Sequence, residues 1–250
     1  MNILIFDTEA ISVTKPFCYN VGYVVVDTKT KQAVLKRDYV IEQIWHNTAL
    51  FNTAYYENKR EIYVKAMRSR KTLLEKWGYV MQQMYRDIKA FDIQHAYAYN
   101  SNFDENVFKF NQDWFKTQNP LDSVQVHDIR GYVHHTIAFT SDFQEWCEKE
   151  NQFTESGNYS TTAETIYRYL TKNTNFIEEH TALADSEIET YILLECANKV
   201  DILKDYKCYA SIPRNRIQTL TINLNGEKTE YNYTKKTVRK DTIYLKLEME

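Results

Sequence analysis

The chain begins MNILIFDTEA. Its apolar run, Ile3–Phe6, reads as a core strand of about Asn2–Phe6, and it ends in two carboxylates, Asp7 and Glu9. Period two puts both side chains on one face. Carboxylates that project together from the end of a buried strand repel each other, and a cation is what makes the arrangement worth keeping. Hard oxygen ligands of this kind suit Mg²⁺ or Mn²⁺. Taken alone, the pair also describes incidental acids on a loop. Its meaning depends on partners elsewhere in the chain.

The order of elements predicts an α/β fold with a sheet of mixed strand directions. Asn20–Val26 and Ala33–Ile41 are β-rich runs around a polar turn, so a hairpin follows the first strand. Leu73, Trp77, Val80, Met81, Met84, Ile88 and Phe91 fall at steps of three and four and predict one face of a long helix. Gly78 inside it costs about 1 kcal/mol in propensity without breaking the pattern. "QHAYAYN" and "SVQVHDI" predict two further strands, and "NFDENVFKF" a helix between them. Thr161-x-x-Glu164 has the form of a capping box ahead of a helical stripe. A last helix is expected over about Leu183–Lys199. Beyond residue 205 the texture changes. Asn225-Gly226 between alternating runs is a strong hairpin signal, and "DTIYLKLEM" alternates again. Residues 206–250 therefore read as a small β-rich appendage to a body of residues 1–205.

Composition sets outer bounds. The 250 residues are 43% hydrophobic and 26% charged, ordinary for a globular chain, with only 5 Gly and 3 Pro. No apolar run approaches the roughly 18 residues that span a bilayer, and the N-terminus does not read as a signal peptide. Cys18, Cys147, Cys196 and Cys208 lack CxxC spacing, which points to free thiols in a cytosolic protein. The net charge of −3 excludes a wholly basic nucleic-acid binder. The charge is uneven, with nine basic and three acidic residues over 59–89. Both a solvated helix face and a surface facing a polyanion fit that stretch.

Two further stretches place carboxylates at similar positions. In "AYAYNSNFDENVF" an apolar strand ends at Asn100 and Asp104 follows at the head of a helix. The helix dipole favours an acid there, and the strand-end edge of an open α/β sheet is where sites gather. In "EEHTALADSEIETYILLE" His180 precedes Asp185 by five residues, about 140° apart on a helix. The two converge only if His180 lies in the turn before the helix.

Taken together, "DTE", Asn100-Ser-Asn-Phe-Asp104 and His180-x-x-x-x-Asp185 resemble the motifs of the DnaQ-like DEDDh 3′–5′ exonucleases. The resemblance covers about residues 1–200. It is similar in flavour to exonucleases of phages and prophages of Gram-positive bacteria, through "FCYNVGYVV", "VHDIRGYV" and "GNYSTTAETIYRYL". It implies an RNase H-like fold with a mixed five-stranded sheet and flanking helices. It implies two Mg²⁺ (or Mn²⁺) ions held by Asp7, Glu9, Asp104 and Asp185, with Asp7 shared, and His180 as general base. Thr8, Ala10, Asn100 and Phe103 would contact substrate, and Asp128 would be structural. The implied partners are nucleic acid, DNA favoured over RNA, and a DNA polymerase or replication protein, with no membrane. The implied location is the cytoplasm of a bacterial host cell. The chain departs from the family at Ala10 and Ile11, where small and hydroxyl residues commonly line the terminal-nucleotide pocket. The step of 81 residues from Asp104 to Asp185 implies an insertion around Phe139–Gly157.

Overall fold

The structure, a computed structural model, describes residues 1–54, 57–214, 216–224 and 227–235. Strands β1 (Asn2–Ala10), β2 (Cys18–Asp27) and β3 (Gln32–Ile41) form an antiparallel meander. Short helices α1 (Glu42–Trp45) and α2 (Thr48–Phe51) and then α3 (Arg60–Arg68) lead to β4 (Leu73–Glu75). Helix α4 (Trp77–Ala90), β5 (His95–Ala98), α5 (Asn102–Phe115) and β6 (Gln125–Asp128) follow. The body closes with α6 (Ile129–Val133), α7 (Ser141–Lys149), α8 (Ala163–Thr171) and α9 (Ala182–Cys196). The sheet order is β4-β3-β2-β1-β5-β6, with β5 parallel to β1 and β6 parallel to β5.

The sheet has six strands rather than the expected five. Leu73, read as the start of the long helical face, lies in edge strand β4, parallel to β3. Extended backbone at Lys76 (ψ 144°) ends that strand, and Gln43 Oε1 accepts the first helical N–H, from Trp77, at 3.1 Å. The long helix therefore begins at Trp77. The expected Thr161 cap is also corrected: Thr162 caps α8 by accepting from the Thr165 N–H. Glu164 instead accepts from the Glu178 N–H at 2.7 Å and pairs with Arg168. Helix α7 lies within residues 139–157.

Strand β1 is covered on both faces, as its unbroken apolar run requires. Leu4 and Phe6 pack with Trp77, Val80, Met84 and Phe108 of α4 and α5. Ile3 and Ile5 pack with Ile188, Ile192 and Leu193 of α9. By the same alternation, Asp7 and Glu9 belong to the α9 side.

Helix α9 lies very close to β2 at Gly22. A Cβ added there would stand 2.1 Å from Leu183 N and 2.2 Å from the Ala182 carbonyl carbon. Ser186 Oγ donates to the Gly22 carbonyl at 3.1 Å, and Asn20 Oδ1 accepts the Ala182 N–H at 2.8 Å. Asn20 is fully buried and also bonds Tyr63, Asp38 and Tyr39, so it joins β2, β3, α3 and α9.

Beyond α9 the chain returns across the body. Tyr97 and Tyr132 both donate to the Ile202 carbonyl, and the Tyr209 N–H donates to His134 Nδ1. Tyr206–Arg214, read from sequence as the start of the appendage, thus lies against the body. Strands β7 (Arg216–Leu224) and β8 (Glu227–Lys235) form a separate antiparallel pair. The Asn225-Gly226 turn and the alternating run after residue 240 lie outside the described residues.

Gly22→Ala should destabilise the protein by about 1–3 kcal/mol through overpacking, read as a lower urea midpoint with unchanged slope. A midpoint matching wild type would show that the α9–β2 approach does not constrain the fold.

Candidate metal centre

The sequence-predicted acids meet at the end of β1. Asp104 stands at the head of α5, 1% exposed, beside β1 where its pairing with β5 has ceased; that pairing covers only Leu4 and Ile5. Asp104 Oδ1 accepts from the Thr8 N–H at 2.9 Å and the Thr8 hydroxyl at 2.7 Å. The carboxylate thus takes the place of a ladder partner, and Thr8 holds it in position. Glu9 accepts from the Tyr19 hydroxyl at 3.3 Å. Asp185 is in the first turn of α9, 6% exposed.

His180 lies in the turn before α9, in left-handed backbone (φ 55°). That position resolves the 140° problem. Ligand atoms of Glu9, His180 and Asp185 lie within 4.8 Å of one another. His180 Nδ1 is also 3.7 Å from Glu178 Oε2. Asp7, half-buried, is within electrostatic reach of Asp104, Glu189, Asp185 and Glu9.

Charge and burial work against each other here. Burial pushes Glu9 up to about 8, Asp104 to about 7, and Asp185 to about 9, where Glu178 and Glu9 add to the effect. Asp7 is raised well above the usual carboxylate range by burial and then by Asp104. Burial and then Lys59 lower His180, which keeps its ring neutral at pH 7. Lys59, at the start of the basic 59–89 stretch, also acts on Glu9, so one end of that stretch reaches the site.

The remaining predicted residues sit around this centre. Ala10 ends β1 at a register shift and is partly buried. Phe103 packs against the α4–α5 side of the core and keeps partial exposure. Asn100 has left-handed backbone (φ 64°) and its Oδ1 accepts from Arg130 Nη1 at 2.9 Å. Asp128 Oδ1 accepts the N–H groups of Asn100 and Arg130.

The sequence reading missed Glu189. It is 3% exposed and four residues after Asp185, hence on the same face of α9. Its spacing in "DSEIE" was the available signal. Among the described residues, Asp185 Oδ1 and Glu189 Oε2 are buried oxygens with no hydrogen-bond partner. Unpaired buried carboxylate oxygens surrounded by other acids are the donor set a hard divalent cation takes. The residues therefore fit such an ion.

No protein-family model matches the chain, and no curated protein sequence matches it. Solved structures do. A 3′-exonuclease described in 3′-end-specific recognition of histone mRNA stem-loop is 10% identical, with a TM-score of 0.52 over 92% of this chain and 90% of that one. E. coli exonuclease I in complex with a 5cy-dT13 oligonucleotide is 15% identical, with a TM-score of 0.51 over 79% of this chain. The chain spans 40% of the exonuclease I chain. The fold is thus α/β and RNase H-like, a mixed sheet with flanking helices. Among the described residues no helix is long and apolar enough to cross a membrane.

The raised carboxyl groups predict how stability follows pH. A carboxyl that binds its proton more tightly folded than unfolded stabilises the fold fully below the unfolded value near 4. That contribution is lost as pH rises through the folded values of about 7 to 9. Metal-free protein should therefore lose thermal stability steadily from pH 5 to pH 9, with saturating Mg²⁺ flattening the decline. A metal-free melting temperature that rises over this range would contradict the electrostatic picture.

Proposed function

We propose that the chain is a metal-dependent 3′–5′ exonuclease of the DnaQ-like DEDDh type, of the kind carried by phages and prophages of Gram-positive bacteria. It would remove nucleoside 5′-monophosphates from the 3′ end of DNA during replication or repair in a bacterial cytoplasm. The observation that carries the reading is the gathering of Asp7, Glu9, Asp104, Asp185 and His180 at the end of the central strand. The fold shared with an exonuclease solved with an oligonucleotide supports it.

Asp7, Glu9, Asp104 and Asp185 would hold two Mg²⁺ or Mn²⁺ ions. When bound, such ions offset the carboxylates and stabilise charge developing on the phosphate. His180, neutral and beside Glu9 and Asp185, would accept the proton of the attacking water. Thr8 fixes Asp104. Ala10, Asn100 and Phe103 would contact the terminal nucleotide. Residues 1–205 would form the catalytic body. Residues 206–250 would carry a further contact, a polymerase or replication protein being the partner the resemblance suggests.

Single strands are the substrate this reading favours. Phe17 packs edge-on to Phe110 at 4.9 Å and to Trp114 at 5.0 Å, and Trp114 is 62% exposed. Phe103, Phe110 and Trp114 fall at i, i+7 and i+11 on α5, one face leading away from Asp104. A row of partly exposed rings ending in exposed Trp114 is suited to stacking unpaired bases. The histone mRNA exonuclease, matched over nearly its whole length, favours RNA as the second reading.

Degradation of 5′-labelled and 3′-labelled DNA and RNA, with Mg²⁺ and with EDTA, tests polarity, sugar and metal together. The expected result is 3′-end loss that EDTA stops and Asp7→Ala abolishes while circular dichroism is preserved. Intact 3′ ends on both polymers would remove the enzyme reading. For His180→Ala, turnover should fall far more than Mn²⁺ affinity; the reverse pattern would make His180 a ligand. Trp114→Ala should raise KM for single strands with little change in kcat, and an unchanged KM would separate the aromatic row from substrate.

A further inference from the structure

Glu189 stands beside the candidate metal centre without a role in the four-carboxylate arrangement. It is placed one helical turn beyond Asp185 on α9, facing Asp104 and Asp7 across the end of the sheet. One side of its carboxylate faces the Tyr99 backbone N–H, at the end of β5. The other oxygen, Oε2, is buried and has no hydrogen-bond partner among the described residues. A purely structural acceptor for one N–H would be served by a neutral amide, without the cost of a buried charge beside three other acids. A carboxyl group kept in that position, with one oxygen uncommitted, matches a cation-binding role.

We propose that Glu189 is a fifth carboxylate of the metal centre, binding a divalent cation or its bound water through Oε2. The proposal rests on the reading of this site as a metal centre. In that role Glu189 adds negative charge on the α9 side of the cluster, and the Tyr99 N–H orients it. The site then presents more carboxylate charge than two divalent ions carry, which favours tight metal retention.

The test measures metal binding without nucleic acid or turnover. Mn²⁺ is titrated into wild type, Glu189→Gln, Glu189→Asp and Asp7→Asn by calorimetry, with melting temperatures recorded with and without Mn²⁺. Glu189→Gln keeps an oxygen for the Tyr99 N–H, so its fold should hold. Its Mn²⁺ affinity should fall by about ten-fold or more, and its thermal gain from Mn²⁺ should shrink. Glu189→Asp, which keeps the charge one methylene short, should fall between the two, and it carries the test if Glu189→Gln does not fold. Wild-type Mn²⁺ affinity in both Glu189 variants, with Asp7→Asn impaired, would overturn the role of Glu189 and leave the metal centre standing. Absence of Mn²⁺ binding in wild type would overturn both.

Discussion

The close crossing of α9 over β2 at Gly22 governs this molecule. No side chain larger than hydrogen fits between the strand and the Ala182–Leu183 backbone. That approach brings the first turn of α9 down onto the sheet next to β1. Asp185 and Glu189, on the helix face turned inward, then meet Asp7 and Glu9 on the face of β1 that α9 covers. A methyl group at residue 22 would lift the helix, and the carboxylates would part. The same crossing is sealed by hydrogen bonds from the α9 side: Ser186 to the Gly22 carbonyl and the Ala182 N–H to Asn20. Asn20 replaces the missing cap of α9, because Thr181 makes no capping bond with its own side chain. One fully satisfied amide therefore anchors the helix that carries half of the site.

Bringing several carboxylates together under low exposure opposes folding, and the structure meets part of that cost locally. Asp104 receives two bonds from Thr8, and Glu9 one from Tyr19. Asp185 and Glu189 each keep one buried oxygen unpaired. The division is informative: Thr8 and Tyr19 hold acids of α5 and β1, whereas each of the two α9 acids keeps one oxygen open. A centre built only for stability would have no reason to leave the α9 oxygens without donors. The unpaired pair is where an external positive charge would gain most.

Much of this was legible in the chain. Ile3–Phe6 announced a core strand, and period two put Asp7 and Glu9 together. Asn100–Asp104 and His180–Asp185 placed two more acids at helix starts. The turn position required of His180 followed from helix geometry alone. What escaped notice was set by tertiary contact. Leu73 keeps the helical spacing but joins an edge strand, because β3 offers it a partner and Lys76 breaks the run. Thr161 and Thr162 are adjacent hydroxyls, and backbone direction alone decides which one caps. Glu189 carried a readable i,i+4 relation to Asp185, yet an acid on a helix reads as solvated until the packing on both sides of α9 is known.

The two helix starts share a local device. Asn100 and His180 both adopt left-handed backbone, with φ 64° and 55°, and each stands just before the helix that carries a site carboxylate. Asn and His are among the side chains that tolerate this conformation best. A single left-handed residue reverses the chain sharply, so a helix can begin close to the strand end rather than after a wide loop. Asp104 and Asp185 then fall within the first turn, where the helix N-terminus favours a negative charge. Asn100 is further fixed by Asp128 and Arg130, and the His180 N–H faces the Asp185 carboxylate. The spacing of each motif is therefore a consequence of geometry: four or five residues is the distance from a left-handed reversal to the first inward-facing position of the helix it starts.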